Sequence, residues 1–121
     1  PMICGIGLDL CEVSRMGHAM QNEAFLRRYF TQAERDYIQS RGIACAESAA
    51  GHFAAKEAAL KAFGTGICGM RLLDVEVTHD EHGAPQYVMH GAACIVLAKG
   101  HMLLSITHTQ AMAAAMAIWE V

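Results

Sequence analysis

The chain has 121 residues and a mass of 13.1 kDa, with 54% hydrophobic residues, 17% charged residues and a formal net charge of −3. That is the size of one domain spanning residues 1–121 with a core of its own, and the composition excludes disorder, a collagen-like repeat and a solvated coiled coil. The longest apolar run, Ala111 to Trp119, is too short to cross a bilayer as a helix, and the acidic balance excludes a global electrostatic grip on nucleic acid. A mean hydropathy of +0.24 is high for a small soluble chain. Two sources fit it: surface hidden in an oligomer, or an alanine-rich core.

The five cysteines are odd in number with no close pair, and they sit in apolar company. They are expected to be reduced core residues of a cytoplasmic protein. The opening Pro1-Met2-Ile3-Cys4-Gly5 has no basic n-region, so no secretory signal is expected.

In chain order, Met2 to Leu10 is short, apolar and punctuated by Gly5 and Gly7, the pattern of a strand ending at Asp9. Ser14 is expected to cap a helix running to Asn22, and Glu23 to Phe30 fits a second. Thr31-Gln32-Ala33-Glu34 is a capping box that starts a third helix, running to Arg41 and stopping at Gly42. Ala44 to Phe63 predicts a long, buried, alanine-dense helix closed by Gly64. Leu73 to His79 alternates as a half-buried strand, and His82-Gly83-Ala84-Pro85 turns it into a returning strand, Gln86 to His90. Gly91 to Lys99 predicts a short helix and His101 to Thr107 a strand. Ala111 to Val121 has helical propensity but also period-two pairing of its larger residues, and a strand buried on both faces is the preferred expectation. The predicted class is α+β, an antiparallel sheet with a long buried central helix.

Glu57 and Lys61 are four apart and share a face of the central helix. A surface ion pair is the ordinary fate of such residues, but a charged pair on a buried helix must be compensated, which points to a polar cavity. Lys56 projects about 100° away and reads as solvated. Asp9 at the strand end is either a turn former or, with Glu57, a hard oxygen ligand for Mg²⁺. Gly64-Thr65-Gly66 is a helix stop whose amides also suit phosphate. His108 stands where a strand ends, as a loop residue or a donor to bound phosphate, and the other histidines give no zinc spacing. Between residues 13 and 41, Arg15, Arg27 and Arg28 interleave with Phe25, Leu26, Tyr29 and Phe30. These are either solvated helix faces or a surface for an acidic helix.

Gly5-Ile6-Gly7-Leu8-Asp9, the block Phe53-Ala54-Ala55-Lys56-Glu57-Ala58-Ala59-Leu60-Lys61-Ala62-Phe63-Gly64-Thr65-Gly66, and Ser105-Ile106-Thr107-His108-Thr109 together resemble holo-acyl-carrier-protein synthase, the small bacterial 4′-phosphopantetheinyl transferase family. The resemblance spans the chain in the right order, and its central block is the specific part. It implies an α+β phosphopantetheinyl-transferase-like fold packed as a homotrimer with sites between subunits. It also implies transfer of phosphopantetheine from coenzyme A to a serine of apo acyl carrier protein for fatty-acid biosynthesis, releasing adenosine 3′,5′-bisphosphate. Carried over by motif, Asp9 and Glu57 would hold Mg²⁺, Lys61 would neutralise phosphoryl charge, and Glu57 or a water on the metal would be the base. Coenzyme A would be bound by Lys61, Gly64, Thr65, His108 and Thr109, with Pro85 and its turn against the adenine. Arg15, Phe25 and Arg28 would dock the acidic carrier helix.

Two departures from the family pattern remove positive charge near the expected coenzyme A site. His52 stands where the family often has Arg, and Ala84 where it often has Lys. Weaker coenzyme A binding, or compensation by His52, His82 or another basic residue, is expected. The rival expectation is a non-catalytic trimeric module that binds coenzyme A or an acidic partner, which would not need Asp9, Glu57 and Lys61 together.

Overall fold

The computed structural model describes residues 1–64 and 69–121. The elements run β1 (Ile3–Glu12), α1 (Val13–Ala19), α2 (Glu23–Tyr29), α3 (Gln32–Ser40), α4 (Cys45–Phe63), β2 (Val75–His79), β3 (Pro85–Met89), α5 (Gly91–Leu97), β4 (His101–His108) and β5 (Met112–Glu120), with single 3₁₀ turns at Gly42–Ala44 and Leu72–Asp74. The class is α+β, as expected. Two antiparallel sheets form, one ordered β1-β5-β4 and the other the β2-β3 hairpin.

β5 is the centre of the larger sheet, pairing with β1 from Glu12↔Met112 and with β4 from His108↔Ala113. Hydrogen bonding on both edges overrides the helical propensity of its alanines and methionines. Only one face of β5 is buried, however. Ala113, Ala115 and Ala117 point inward at 2% exposure or less, while Met116 on the other face is exposed. The expectation of burial on both faces therefore fails within one chain.

α4 lies across that inward face. Ala54, Ala55, Ala58, Ala59 and Ala62 are buried in one core cluster with Ala115 and Ala117, so small side chains on both elements permit a close helix–sheet approach. Glycine permits a closer one at β1. A Cβ on Gly5 or Gly7 would overlap the backbone carbonyls of Ala62 and Ala58, which makes the Gly-Ile-Gly pair a packing requirement. Tyr87 ties the hairpin to the same helix, its hydroxyl donating to the Ala55 carbonyl at 2.5 Å.

Local signals fare unevenly. The Thr31–Glu34 capping box forms as predicted, and Gly64 closes α4 at φ 102°. Ser14 is no cap: Glu12 occupies the N-cap position, and α1 stops at Ala19. Asn22 instead caps α2, its side-chain oxygen accepting from the amides of Ala24 and Phe25. β1 continues past Asp9 to Glu12 because β5 keeps pairing with it. The four described cysteines are free, and none is fully buried; Cys4 and Cys94 are exposed, so they are not the core residues expected.

Candidate active site

Asp9 faces inward from β1, on the same side as Gly5 and Gly7, so the close seat of α4 over those glycines brings the second half of the helix to it. Lys61 Nζ donates to Asp9 Oδ1 at 2.9 Å and to the Leu8 carbonyl at 3.1 Å. Half of the Lys61 side chain stays exposed, against 18% of Asp9. One turn earlier, Glu57 has its carboxyl held above the usual carboxylate range, first by burial and then by the Asp9 charge, with Lys61 acting the other way. The three residues singled out from sequence thus meet at the β1 edge of the sheet.

Lys56 corrects the sequence expectation. It is not solvated but wholly buried, and its ammonium donates to the buried carboxylate of Glu34. The sequence reading turned it about 100° from Glu57 and left it in solvent, whereas α4 is enclosed on that side by α3 and the hairpin.

A cavity of about 340 Å³ lies on the other flank of α4, bounded by Tyr37 and Arg41 at the end of α3, by Glu47, Gly51 and His52 on α4, by His79 and Pro85 of the hairpin, and by His108 at the end of β4. His52 is 2% exposed. Its Nδ1 lies 2.7 Å from the Ser48 carbonyl, so Nδ1 carries the proton, and buried Nε2 has no partner among the described residues. Burial pushes this imidazole down to about 4; the Ser48 carbonyl opposes the shift, and His79 and Lys56 reinforce it. His52 is therefore neutral at physiological pH and supplies no compensating charge. Arg41 supplies a guanidinium to the cavity wall instead. His79 stacks on Tyr37 with ring centroids 4.1 Å apart, and both rings approach His52. His108 Nδ1 lies 3.4 Å from Glu47 Oε2.

Sequence reasoning missed Tyr37, Arg41, Glu47 and His79. The i,i+4 spacing of Tyr37 and Arg41 was visible, but nothing in the chain linked it to a hairpin forty residues on. Gly64 caps α4 and lines no described cavity, and Thr65 lies outside the described residues. Thr109 belongs to the β4–β5 turn, its hydroxyl accepting from the amides of Ala111 and Met112. His82 is exposed beside Glu81 and lines no described cavity.

The carboxylate cluster and the cavity occupy opposite flanks. Ser48 and Glu57, like His52 and Lys61, stand nine positions apart, which is about half a turn out of phase on a helix. Asp9 belongs to one edge strand of the β1-β5-β4 sheet, and Ile106 and His108 to the other.

A third feature lies along the end of β1, just past Asp9. Leu10, Met16, Phe25, Phe53 and Met112, with the charged Glu12 and Arg15, line a largely apolar cavity of about 430 Å³. Phe25 also packs in an aromatic cluster with Tyr29, Phe30 and Phe53. Arg28 stands outside this lining, its guanidinium 5.5 Å from the centre of the Tyr29 ring.

The model of the 4′-phosphopantetheinyl transferase superfamily matches residues 5–115. The chain is 40% identical to a holo-[acyl-carrier-protein] synthase of Clostridium perfringens, covering 98% of this chain and 95% of that one. It is 39% identical to the synthase of Treponema denticola, covering 98% and 99%. Among solved structures, the holo-(acyl-carrier-protein) synthase of Bacillus anthracis in complex with CoA (3′,5′-ADP) superposes with a TM-score of 0.84 at 35% identity, covering 99% of this chain and 98% of that one. The synthase of Neisseria meningitidis superposes at 0.88 with 29% identity, covering 99% and 100%. With the Asp9–Glu57–Lys61 cluster assembled on this fold, the chain belongs to the holo-acyl-carrier-protein synthase family of 4′-phosphopantetheinyl transferases.

Proposed function

We propose that this chain transfers 4′-phosphopantetheine from coenzyme A to a serine hydroxyl of apo acyl carrier protein, as a Mg²⁺-dependent cytoplasmic homotrimer with active sites between subunits. The observation that carries this reading is the convergence of Asp9, Glu57 and Lys61 on one edge of the sheet. In the reaction the serine oxygen forms a bond to the pantetheine-side phosphorus. The bond from that phosphorus to the bridging pyrophosphate oxygen breaks, adenosine 3′,5′-bisphosphate leaves, and the serine proton passes to a base.

The donor set fits a hard divalent cation. Asp9 and Glu57 are close enough for one charge to raise the other's proton affinity, and a cation between them would relieve that repulsion. Among the described residues no group of three His, Cys, Asp or Glu gathers as a ligand set, so two carboxylates would be completed by water and phosphate oxygens. When bound there, Mg²⁺ supplies charge neutralisation on the pyrophosphate. Lys61 adds a cation to the same place; two of its N–H groups engage Asp9 and Leu8 and the third is left for a phosphoryl oxygen. Glu57 is the chain's own acceptor for the serine proton.

The cavity beside His52 suits the nucleotide end of coenzyme A. It offers aromatic faces in Tyr37 and His79, cationic Arg41, and His108 as a donor to phosphate. The apolar cavity beside Asp9, rimmed by Arg15, suits an anchor residue of an acidic carrier helix, with Arg28 further out on the same helical layer. Since the nucleotide cavity and the carboxylates lie on opposite flanks of α4, the site closes when the β1 flank of one copy meets the β4 flank of the next.

Intact-mass spectrometry of an apo acyl carrier protein tests the reading, after incubation with this protein, coenzyme A and Mg²⁺. A gain of one phosphopantetheine that EDTA abolishes is the expected result. No gain with several carriers, while coenzyme A still binds, would overturn it in favour of a binding module.

A further inference from the structure

The chemistry above leaves one buried ion pair unused. The side chains of Lys56 and Glu34 are both 0% exposed, with Nζ donating to Oε1 at 2.5 Å. Taking both charges out of water offsets much of what their attraction supplies, and an apolar pair of similar volume is often as stabilising. An apolar pair cannot direct hydrogen bonds, however, and Glu34 directs three. Its Oε1 also accepts from the Thr31 amide at 2.9 Å, and its Oε2 accepts from the Val77 amide at 3.0 Å.

One carboxylate therefore joins the start of α3, the middle of α4 and strand β2. These elements are three walls of the nucleotide cavity. α3 carries Tyr37, α4 carries His52 one turn before Lys56, and β2 carries His79 two residues after Val77. The Tyr37–His79 stack bridges the same two outer elements that Glu34 ties together beneath it.

We infer that the Glu34–Lys56 pair is a positioning device for the co-substrate: it sets the spacing of the cavity walls that carry Tyr37, His52 and His79 before any ligand arrives. The inference rests on the reading that this cavity takes the nucleotide end of coenzyme A. Neither residue touches substrate. The pair acts by preorganisation, which appears in ligand affinity because a wall that must be ordered on binding costs free energy that a preset wall does not.

The test is the double variant Glu34→Leu/Lys56→Met, which removes both charges together and leaves neither ion orphaned. Its fold is checked by circular dichroism and thermal midpoint. The KM for coenzyme A and the calorimetric Kd for adenosine 3′,5′-bisphosphate are expected to rise together by about tenfold or more. The kcat and the KM for carrier protein should stay within about threefold of wild type, and Lys56→Arg, which keeps the charge, should recover most of the affinity. Unchanged bisphosphate affinity in a folded double variant would overturn the positioning role alone. Failure of the wild type to bind the bisphosphate would overturn the nucleotide reading and the inference with it. Should the double variant not fold, hydrogen exchange on the wild type decides. The Thr31 and Val77 amides should be strongly protected in the free protein and unchanged by the bisphosphate, whereas protection gained only on binding would refute preset walls.

Discussion

Asp9 and Glu57 each answer a different part of the same electrostatic problem. Asp9 holds Lys61 in place through a 2.9 Å ion pair, while Glu57 sits half-buried with no side-chain hydrogen bond among the described residues. Asp9→Asn and Glu57→Gln should each lower kcat by at least about 100-fold with the thermal midpoint little changed, because both preserve volume and remove only charge. Full transfer activity in either would refute the proposed cation site. His52 raises a separate question of pH. Its ring takes a proton at about 4 in the folded chain against an ordinary 6.5, so the unfolded chain binds a proton that the native ring refuses. Stability should fall as pH drops from about 6.5 towards 4, by on the order of 3 kcal/mol at the acid end. His52→Gln keeps a donor for the Ser48 carbonyl and should flatten that slope in urea titrations compared across pH; an unaltered slope would refute the assignment.

At the level of elements, α4 and β5 show what was legible in the chain and what was not. The Gly64 stop and the run of alanines defined the central helix to within a residue of Cys45–Phe63, as the Thr31–Glu34 capping box defined the start of α3, since each of these signals acts locally. β5 was ambiguous for a physical reason: its alanines become a strand only because β1 and β4 pair with both of its edges. Lys56 was misread because helical phase shows which residues share a face but not what covers that face. Likewise Tyr37 and His79 meet only through tertiary packing of α3 on β2, whereas Asp9, Glu57 and Lys61 were legible because each sits in a motif block. The helical layer of α1 and α2 yields a prediction at this scale. Arg15 rims the apolar cavity and Arg28 lies outside it, both away from the nucleotide cavity. Reversing either to Glu should raise the KM for carrier protein about tenfold or more and leave the KM for coenzyme A within about twofold. Equal effects on the two substrates would refute the docking face.

The molecule as a whole leaves one surface unexplained by a single chain. On the outer face of the larger sheet, Leu8 lies opposite Met116 and Ile6 opposite Ile118, with Leu103 next in line on β4. Ile6, Leu8 and Leu10 are 59–64% exposed, a continuous apolar face of the kind that a second copy covers. This face also accounts for the high mean hydropathy, together with the alanine core. Leu8→Glu should convert the proposed trimer to monomers by light scattering, and transfer should be lost with it because the two half-sites of one chain point apart. A mixing experiment separates that geometry from mere destabilisation. Glu57→Gln disables the carboxylate flank and Arg41→Glu the nucleotide flank, so each homotrimer should be nearly inactive. In randomly mixed trimers an interface has an even chance of receiving each intact flank, so co-expression of the two variants should restore about a quarter of wild-type activity. If each site were built within one chain, no mixture would regain any activity. That outcome would refute sites between subunits while leaving the transferase chemistry intact.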